Sequence, residues 1–157
     1  MKSVKKILII LIVIFVIVQF FRPEKNEGDR ASMDAFYSET NPPAEVKRIL
    51  EVSCIDCHSD VTKYPWYNAI TPVNYWLAGH INDGKKHFNM SKWLGNSTKR
   101  KDHKFEQLIE MLEKKEIPLE SYTYTHTDAK RTDSQINAVI NWAKRVRLKY
   151  SLEPKPE

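Results

Sequence analysis

Apolar residues recur with helical spacing along most of the chain after residue 40. The clearest case is the segment 101–115, whose apolar side chains fall at positions i, i+3, i+4 and i+7: Phe105, Leu108, Ile109 and Leu112. This spacing places them on one face of a helix. The same pattern predicts helices over residues 43–53 and 132–149, and Thr71 followed by Pro72, a cap residue before a proline, predicts one over residues 72–86. No segment alternates for long enough to predict a strand. The pattern therefore predicts an all-α fold.

Helix-start signals support two of these boundaries. Asn41 precedes Pro42 and Pro43, as an N-cap residue would precede prolines in a first turn. Thr132 and Gln135 have the spacing of a capping box, in which each side chain bonds the other's backbone N–H. We therefore expect helices to begin near residues 43 and 132.

The N-terminus combines basic residues with a continuous apolar run. Lys2, Lys5 and Lys6 precede the apolar segment 7–18, and Phe20 and Phe21 follow it. A helix over residues 4–21 would be about 27 Å long, close to the thickness of a bilayer core. No small-residue cleavage site follows. The segment predicts an uncleaved, single-pass anchor in the cytoplasmic (inner) membrane, with the rest of the chain facing the periplasm.

The remaining sequence divides into a tether, a domain and a tail. Residues 23–40 are polar with scattered turn formers and predict a flexible tether after the anchor of residues 1–22. Residues 41–150 hold the predicted helices and predict one small domain. Residues 151–157 are predicted to be a disordered tail.

The charge of the chain is mildly positive, with a net charge of +5. Lysine and arginine are spread among nearly as many acidic residues, and no basic run is longer than Lys99-Arg100-Lys101. This distribution argues against nucleic-acid binding. A solvated surface explains it best, and the next explanation is docking to redox partner proteins with acidic surfaces or to anionic lipid close to the anchor. The oligomeric state is left open.

The two cysteines of the chain stand in a C-x-x-C-H motif formed by Cys54, Cys57 and His58. Two thiols at this spacing can add to the two vinyl groups of a haem, and the adjacent histidine can then bind the iron as the proximal axial ligand. The motif predicts covalent haem c. A dithiol redox couple, a structural disulfide or half of a zinc site are the alternatives.

Haem would also supply a large apolar surface for aromatic residues, among which Trp66 and Tyr67 are predicted packing partners. The sixth iron position has several candidate donors. His126 is favoured, because it lies in the loop before the last helix, where small c-type cytochromes carry their second ligand. His80 and His87 are the reserve candidates. The less favoured donors are His103, Met90 and Met111.

Several segments in the same order resemble the bacterial haem-binding domain family, a group of class I-like c-type cytochromes that often carry an N-terminal membrane segment. The resemblance covers roughly residues 40–145. The matching segments are residues 54–59, 64–67, 72–73, 82–84, 89–93, 117–122, His126 and 141–142. The family pattern has methionine before Pro118, but this chain has Ile117, which cannot bind iron. That departure favours His126 and a lower potential.

The resemblance implies a small cytochrome c-like helical domain around one covalent haem. Its expected function is one-electron transfer on the periplasmic side of the membrane, without catalysis. The alternative is a haem enzyme or sensor, peroxidase-like or gas-binding, with an open distal site where His126 acts beside Arg131 and Asp128. A third hypothesis, an interaction module without haem, leaves the C-x-x-C-H motif unexplained.

Overall fold

The computed structural model describes residues 2–152, and the regular secondary structure of this part of the chain is helical. Its α-helices, in chain order, are α1 (Lys2–Val18), α2 (Asp34–Thr40), α3 (Ala44–Ser53), α4 (Ile55–His58), α5 (Val73–His87), α6 (Thr98–Glu113), α7 (Glu120–Thr125) and α8 (Asp133–Leu152). Short 3₁₀ turns connect several of them. The described residues contain no strand and one isolated bridge, between Glu27 and Val61. The all-α prediction agrees with this architecture.

The predicted transmembrane anchor is wrong. Helix α1 has 17 residues and a length of about 26 Å, because the backbone N–H groups of Gln19 and Phe20 bond carbonyls three residues back and close the helix. Within residues 2–152, no helix combines the length and the apolar character needed to cross a membrane. The predicted membrane partner and the single-pass inner-membrane localisation with a periplasmic domain therefore lose their basis.

The segment predicted as a flexible tether is folded over much of its length. Residues 30–40 form a 3₁₀ turn and α2, which bury Met33 and Phe36 in the core. Before them, the Gly28 N–H bonds the carbonyl of Asp60 at 2.7 Å. The sequence signal was present, since Met33, Phe36, Tyr37 and Thr40 have the spacing i, i+3, i+4 and i+7. The segment is short and flanked by polar residues, so its composition outweighs this spacing in a prediction from sequence.

A cluster of aromatic rings forms the centre of the core. Phe36 contacts the rings of Trp93, Phe105 and Trp142, and all four side chains are almost fully buried. The Trp142 indole N–H donates to the Thr40 carbonyl at 2.9 Å, which satisfies its buried donor. The cluster thus joins α2, α6 and α8.

The predicted helix boundaries hold within a few residues, and the capping box at Thr132 and Gln135 is present, with bonds of 3.0 and 3.2 Å. Asn41 has a different role from the predicted N-cap. Its φ of 39° lies in the left-handed region, so it ends α2, and Pro43 precedes α3. The predicted tail from residue 151 differs too: α8 includes Ser151 and Leu152, and the rest of the tail lies outside the described residues.

Candidate functional site

The C-x-x-C-H segment is a single helical turn at the end of α3. Cys54 ends α3, and its carbonyl accepts bonds from the N–H groups of Cys57 at 3.2 Å and His58 at 2.9 Å. Ile55 and Asp56, between the two cysteines, make different contacts. Ile55 is buried in the core, whereas the Asp56 carboxylate accepts a bond from the Lys63 N–H. The turn is therefore fixed to the domain from two sides.

The C-terminal end of α5 orients the His58 imidazole. Nδ1 of His58 lies 3.0 Å from the Gly84 carbonyl oxygen and 2.9 Å from that of Phe88. Phe88 is the C-cap residue of α5, and the Gly84 carbonyl, which also accepts the Phe88 N–H at 2.9 Å, has a second lone pair for the ring N–H. With the Nδ1 proton used in this way, the other ring nitrogen, Nε2, is the one that can bind a metal.

The protonation state of His58 suits such a ligand. Burial lowers the pKa of His58 below its ordinary value of 6.5, and the bonds to the Phe88 and Gly84 carbonyls act in the opposite direction without reversing the shift. The imidazole is therefore neutral at pH 7. A neutral imidazole is the form that coordinates metals.

Close approach between α5 and the motif turn depends on Gly84. A Cβ atom at this position would lie 2.4 Å from the Cys57 carbonyl oxygen and 3.0 Å from the Cys57 Cβ. Both the oxygen and its carbon belong to the backbone, so no side-chain rotation would relieve the clash. Gly84 thus lets α5 bring its last carbonyls within reach of His58.

The two thiols are free and protonated. Burial raises the pKa of Cys54 to about 12, and burial followed by the nearby Asp56 charge raises that of Cys57 to about 11. A redox dithiol or a zinc site needs a stabilised thiolate, which is the opposite shift. Within residues 2–152, no group of three or more histidine, cysteine or acidic side chains is arranged to hold a metal ion.

A cavity of about 430 Å³ opens beside the motif turn. Cys54, Cys57 and His58 form one wall, together with residues of α5. The other walls come from α6, the loop 117–119 and the start of α8, mainly through apolar side chains: Leu108, Met111, Leu112, Ile117, Ile136 and Val139. Protein sites for small molecules and cofactors occupy roughly 300–1,000 Å³ and are mostly apolar. The cavity fits both criteria.

The candidate iron donors fall into two groups. His80, His87, Met90 and Met111 line the cavity, but His103 and His126 do not. His126 stacks on the Tyr122 ring at 4.1 Å and bonds the Tyr122 carbonyl through Nδ1. It lines a smaller neighbouring cleft, together with Tyr67. Trp66 lines neither space and is 80% exposed.

A hydrogen bond joins the loop of His126 to the motif. The Tyr122 hydroxyl donates to the Asp56 carboxylate at 2.9 Å, and burial followed by the Asp56 charge raises the pKa of Tyr122. Tyr122 lines the cavity and His126 lies behind it. No sequence signal pairs Asp56 with Tyr122, because their contact spans 66 positions of chain.

The residues of the peroxidase-like hypothesis are not gathered at the cavity. Arg131 lines it, but its Nε donates to Ser53 Oγ at 2.6 Å and to the Ala129 carbonyl at 3.0 Å. These bonds hold the turn before α8 against the end of α3. Neither His126 nor Asp128 lines the cavity with it.

Gly84 and Phe88 position His58, a role that was not assigned to them from sequence. A glycine inside a helical pattern is a signal for close packing, and Gly84 carries that signal. Phe88 acts through its backbone carbonyl, which leaves no mark in the sequence.

A family model described as a haem-binding domain matches residues 13–145 of this chain. The match includes the motif turn, the cavity walls and most of α8. No curated protein and no solved structure is similar enough to the chain to count as a match.

Proposed function

This chain belongs to the haem-binding domain family, and we propose that it is a c-type cytochrome that carries one covalent haem and transfers single electrons. The observation that carries the proposal is the juxtaposition of the C-x-x-C-H turn with a cavity of about 430 Å³. Cys54 and Cys57 would hold the haem through thioether bonds, each formed by adding S–H across a vinyl double bond. His58 would bind the iron through Nε2.

The state of the thiols supports this chemistry over the alternatives. A thioether carries no charge, so its burial costs little, whereas a buried thiolate would be strongly penalised. Burial has already raised the pKa of both thiols, which disfavours the thiolate. The site is therefore better suited to thioether bonds than to a redox dithiol.

The contacts between His58 and the end of α5 limit which residues could hold the proposed haem together with His58. The two nitrogens of an imidazole point to different sides of the ring, so the iron would lie on the side of His58 away from the Gly84 and Phe88 carbonyls. His80 and His87 line the cavity from α5, the same helix that holds His58. The sixth ligand would come from another wall of the cavity, where Met111 offers a thioether.

Met111 is therefore favoured over His126, the choice made from sequence. Met111 lines the cavity from α6, and His126 lies behind the Tyr122 ring. A thioether ligand would also give a higher potential than a second imidazole.

When bound, haem supplies a one-electron couple, and the chain's part is to hold and shield it. The apolar walls would exclude water, and the neutral His58 would be held in one orientation. Among the described residues at the cavity, Arg131 is occupied by backbone and serine oxygens rather than aimed at a reacting group. This arrangement favours electron transfer over catalysis.

Covalent attachment is tested by expressing the full chain with a c-type haem assembly system and staining a denaturing gel for haem. We expect the wild-type chain to retain haem and Cys54→Ser/Cys57→Ser to lose it completely. Ser38→Ala, at an exposed side chain of α2 that does not line the cavity, is the control and should keep the stain. Haem that leaves the wild-type chain under denaturation would refute covalent attachment.

Optical spectra of the same preparations test the axial ligands. Wild-type protein should be low-spin in both oxidation states, and the near-isosteric Met111→Leu should become high-spin. His126→Ala should leave the spectrum unchanged. A high-spin His126→Ala protein with an unaffected Met111→Leu protein would restore His126 as the ligand, and a high-spin wild type would favour an open distal site.

A further inference from the structure

A groove of about 710 Å³ lies beside the haem cavity and is lined by cations without any acidic side chain. It runs between the end of α5, the 3₁₀ turn Trp93–Gly95 and the start of α6. The cations are Lys85, Lys86, Lys92, Arg100 and Lys104, with His87 and His103 between them. We propose that this basic groove is the docking surface for an acidic protein that exchanges electrons with the haem.

Most of the positive charge in the basic groove is unneutralised. Lys86, Lys92 and Arg100 are exposed and form no ion pair within residues 2–152. Lys85 is partly neutralised by Asp60 at 3.4 Å, and the Lys104 ammonium donates to the His87 carbonyl. His103 Nδ1 lies 3.2 Å from the Glu106 carboxylate, which does not line the groove itself. Elsewhere, many exposed cations have partners, as Lys114 does with Glu110 and Lys115 with Asp133.

The basic groove and the cavity share walls. His87, Lys104 and Gln107 line both, so a molecule seated in the basic groove would lie next to the proposed haem. Electron transfer weakens steeply with distance, and a docking surface beside the cofactor is where a partner would be useful. The role of the partner rests on the proposed function, but the binding itself does not.

The spread of the cations favours a protein surface over a small anion. They come from two helices and a turn, and the buried polar side chain that lines the groove, Asn89, is bonded to the Asp60 carboxylate and the Ser91 N–H instead of being free for an anion. A phosphate-sized anion needs converging donors, whereas a surface with several carboxylates can pair with cations that stand apart. Such pairs mainly accelerate and orient the encounter and are sensitive to salt.

The test compares two double charge reversals with the same change in net charge. Lys86→Glu/Arg100→Glu alters the basic groove, and Arg48→Glu/Arg145→Glu alters exposed, unpaired cations on α3 and α8. Binding of poly-L-glutamate to the full chain is followed by backbone amide shifts at low and high salt. We expect the basic-groove variant to bind roughly tenfold more weakly than the control variant, and added salt to remove the difference.

A second readout separates this inference from the haem assignment. Oxidation of the reduced, haem-loaded protein by the hexacyanoferrate(III) anion should slow by a similar factor in Lys86→Glu/Arg100→Glu only. One outcome is that the wild-type chain fails to attach haem while Lys86→Glu/Arg100→Glu still binds poly-L-glutamate more weakly than the control variant. That result would support the docking surface and refute the proposed function. Equal binding by both variants would overturn the docking surface.

The same variants decide what kind of partner the basic groove takes. Phosphatidylglycerol vesicles, duplex DNA and inorganic phosphate are titrated beside poly-L-glutamate. Tighter, groove-dependent binding of any of these three would overturn the assignment to an acidic protein.

Discussion

The aromatic cluster and the motif-side cavity are built in opposite ways. In the cluster, Phe36, Phe105 and Trp142 fill their own space, with ring centroids 5.2 to 6.4 Å apart. Beside the motif turn, apolar side chains instead surround about 430 Å³ of space. Phe88 belongs to both regions, since its ring contacts Trp93 and its carbonyl bonds His58. The difference indicates that the cluster fixes the fold and that the cavity is shaped for the cofactor.

The largest expected effect comes from emptying the cluster. Trp142→Ala removes a side chain that is 1% exposed together with its bond to Thr40, and should lower the free energy of unfolding by about 3–5 kcal/mol. Trp66→Ala, at a side chain that is 80% exposed, is the matched control and should change it by less than about 0.5 kcal/mol. Denaturant unfolding of both variants checks the contrast.

The Trp66 control also bears on the cavity. If Trp66 packs on haem, as predicted from sequence, Trp66→Ala should shift the haem absorption bands or weaken haem retention. Unchanged bands would remove Trp66 from the haem contacts.

An intermediate effect is expected where α5 meets the motif turn. Gly84→Ala places a Cβ 2.4 Å from the Cys57 carbonyl oxygen, so α5 must shift, at a cost of about 1–3 kcal/mol. Gly79→Ala, in the same helix with nothing within 4 Å of its Cβ, should instead stabilise by up to about 1 kcal/mol. Thermal unfolding of the two variants gives the comparison.

Gly84→Ala should also lower haem attachment by more than its loss of stability would explain. Because the shift moves the Gly84 carbonyl away from His58, we expect a lower yield of attached haem than in Gly79→Ala. Equal yields and equal stabilities would contradict the close-packing role of Gly84.

The smallest expected effect lies at the edge of the cluster, where Glu39 bonds Lys101 at 2.7 Å and accepts a bond from Tyr150 at 2.6 Å. Burial would raise the pKa of Glu39, but the Lys101 and Tyr150 bonds outweigh it and hold the pKa below its ordinary value. A lowered folded-state pKa stabilises the fold above the unfolded-state pKa and loses that contribution as pH falls through the folded-state value. We expect a loss on the order of 1 kcal/mol.

The matched variant is Glu39→Gln, which should remove this part of the acid dependence. Unfolding free energies measured from neutral pH down through the acid range check it. Parallel curves for the two proteins would show that Glu39 does not contribute.

The sequence predicted the two regions unequally. Periodicity located α3, α6 and α8, because each buries a recognisable apolar stripe, whereas α5 was located by the proline at its start. The motif located Cys54, Cys57 and His58. The sequence did not locate the basic groove, whose cations come from segments that lie apart in the chain. The N-terminal prediction failed because an apolar run was counted through Phe21, whereas the helix ends at Val18.

The two carbonyls that hold His58 have a consequence for the entropy of ligation. A free imidazole loses rotational freedom when a metal binds it, and this loss opposes binding. In this chain the Nδ1 bonds to Gly84 and Phe88 already restrict the ring in the folded chain. Folding, rather than ligand binding, therefore bears most of that entropic cost, and His58 is preorganised for the ligand that Nε2 accepts.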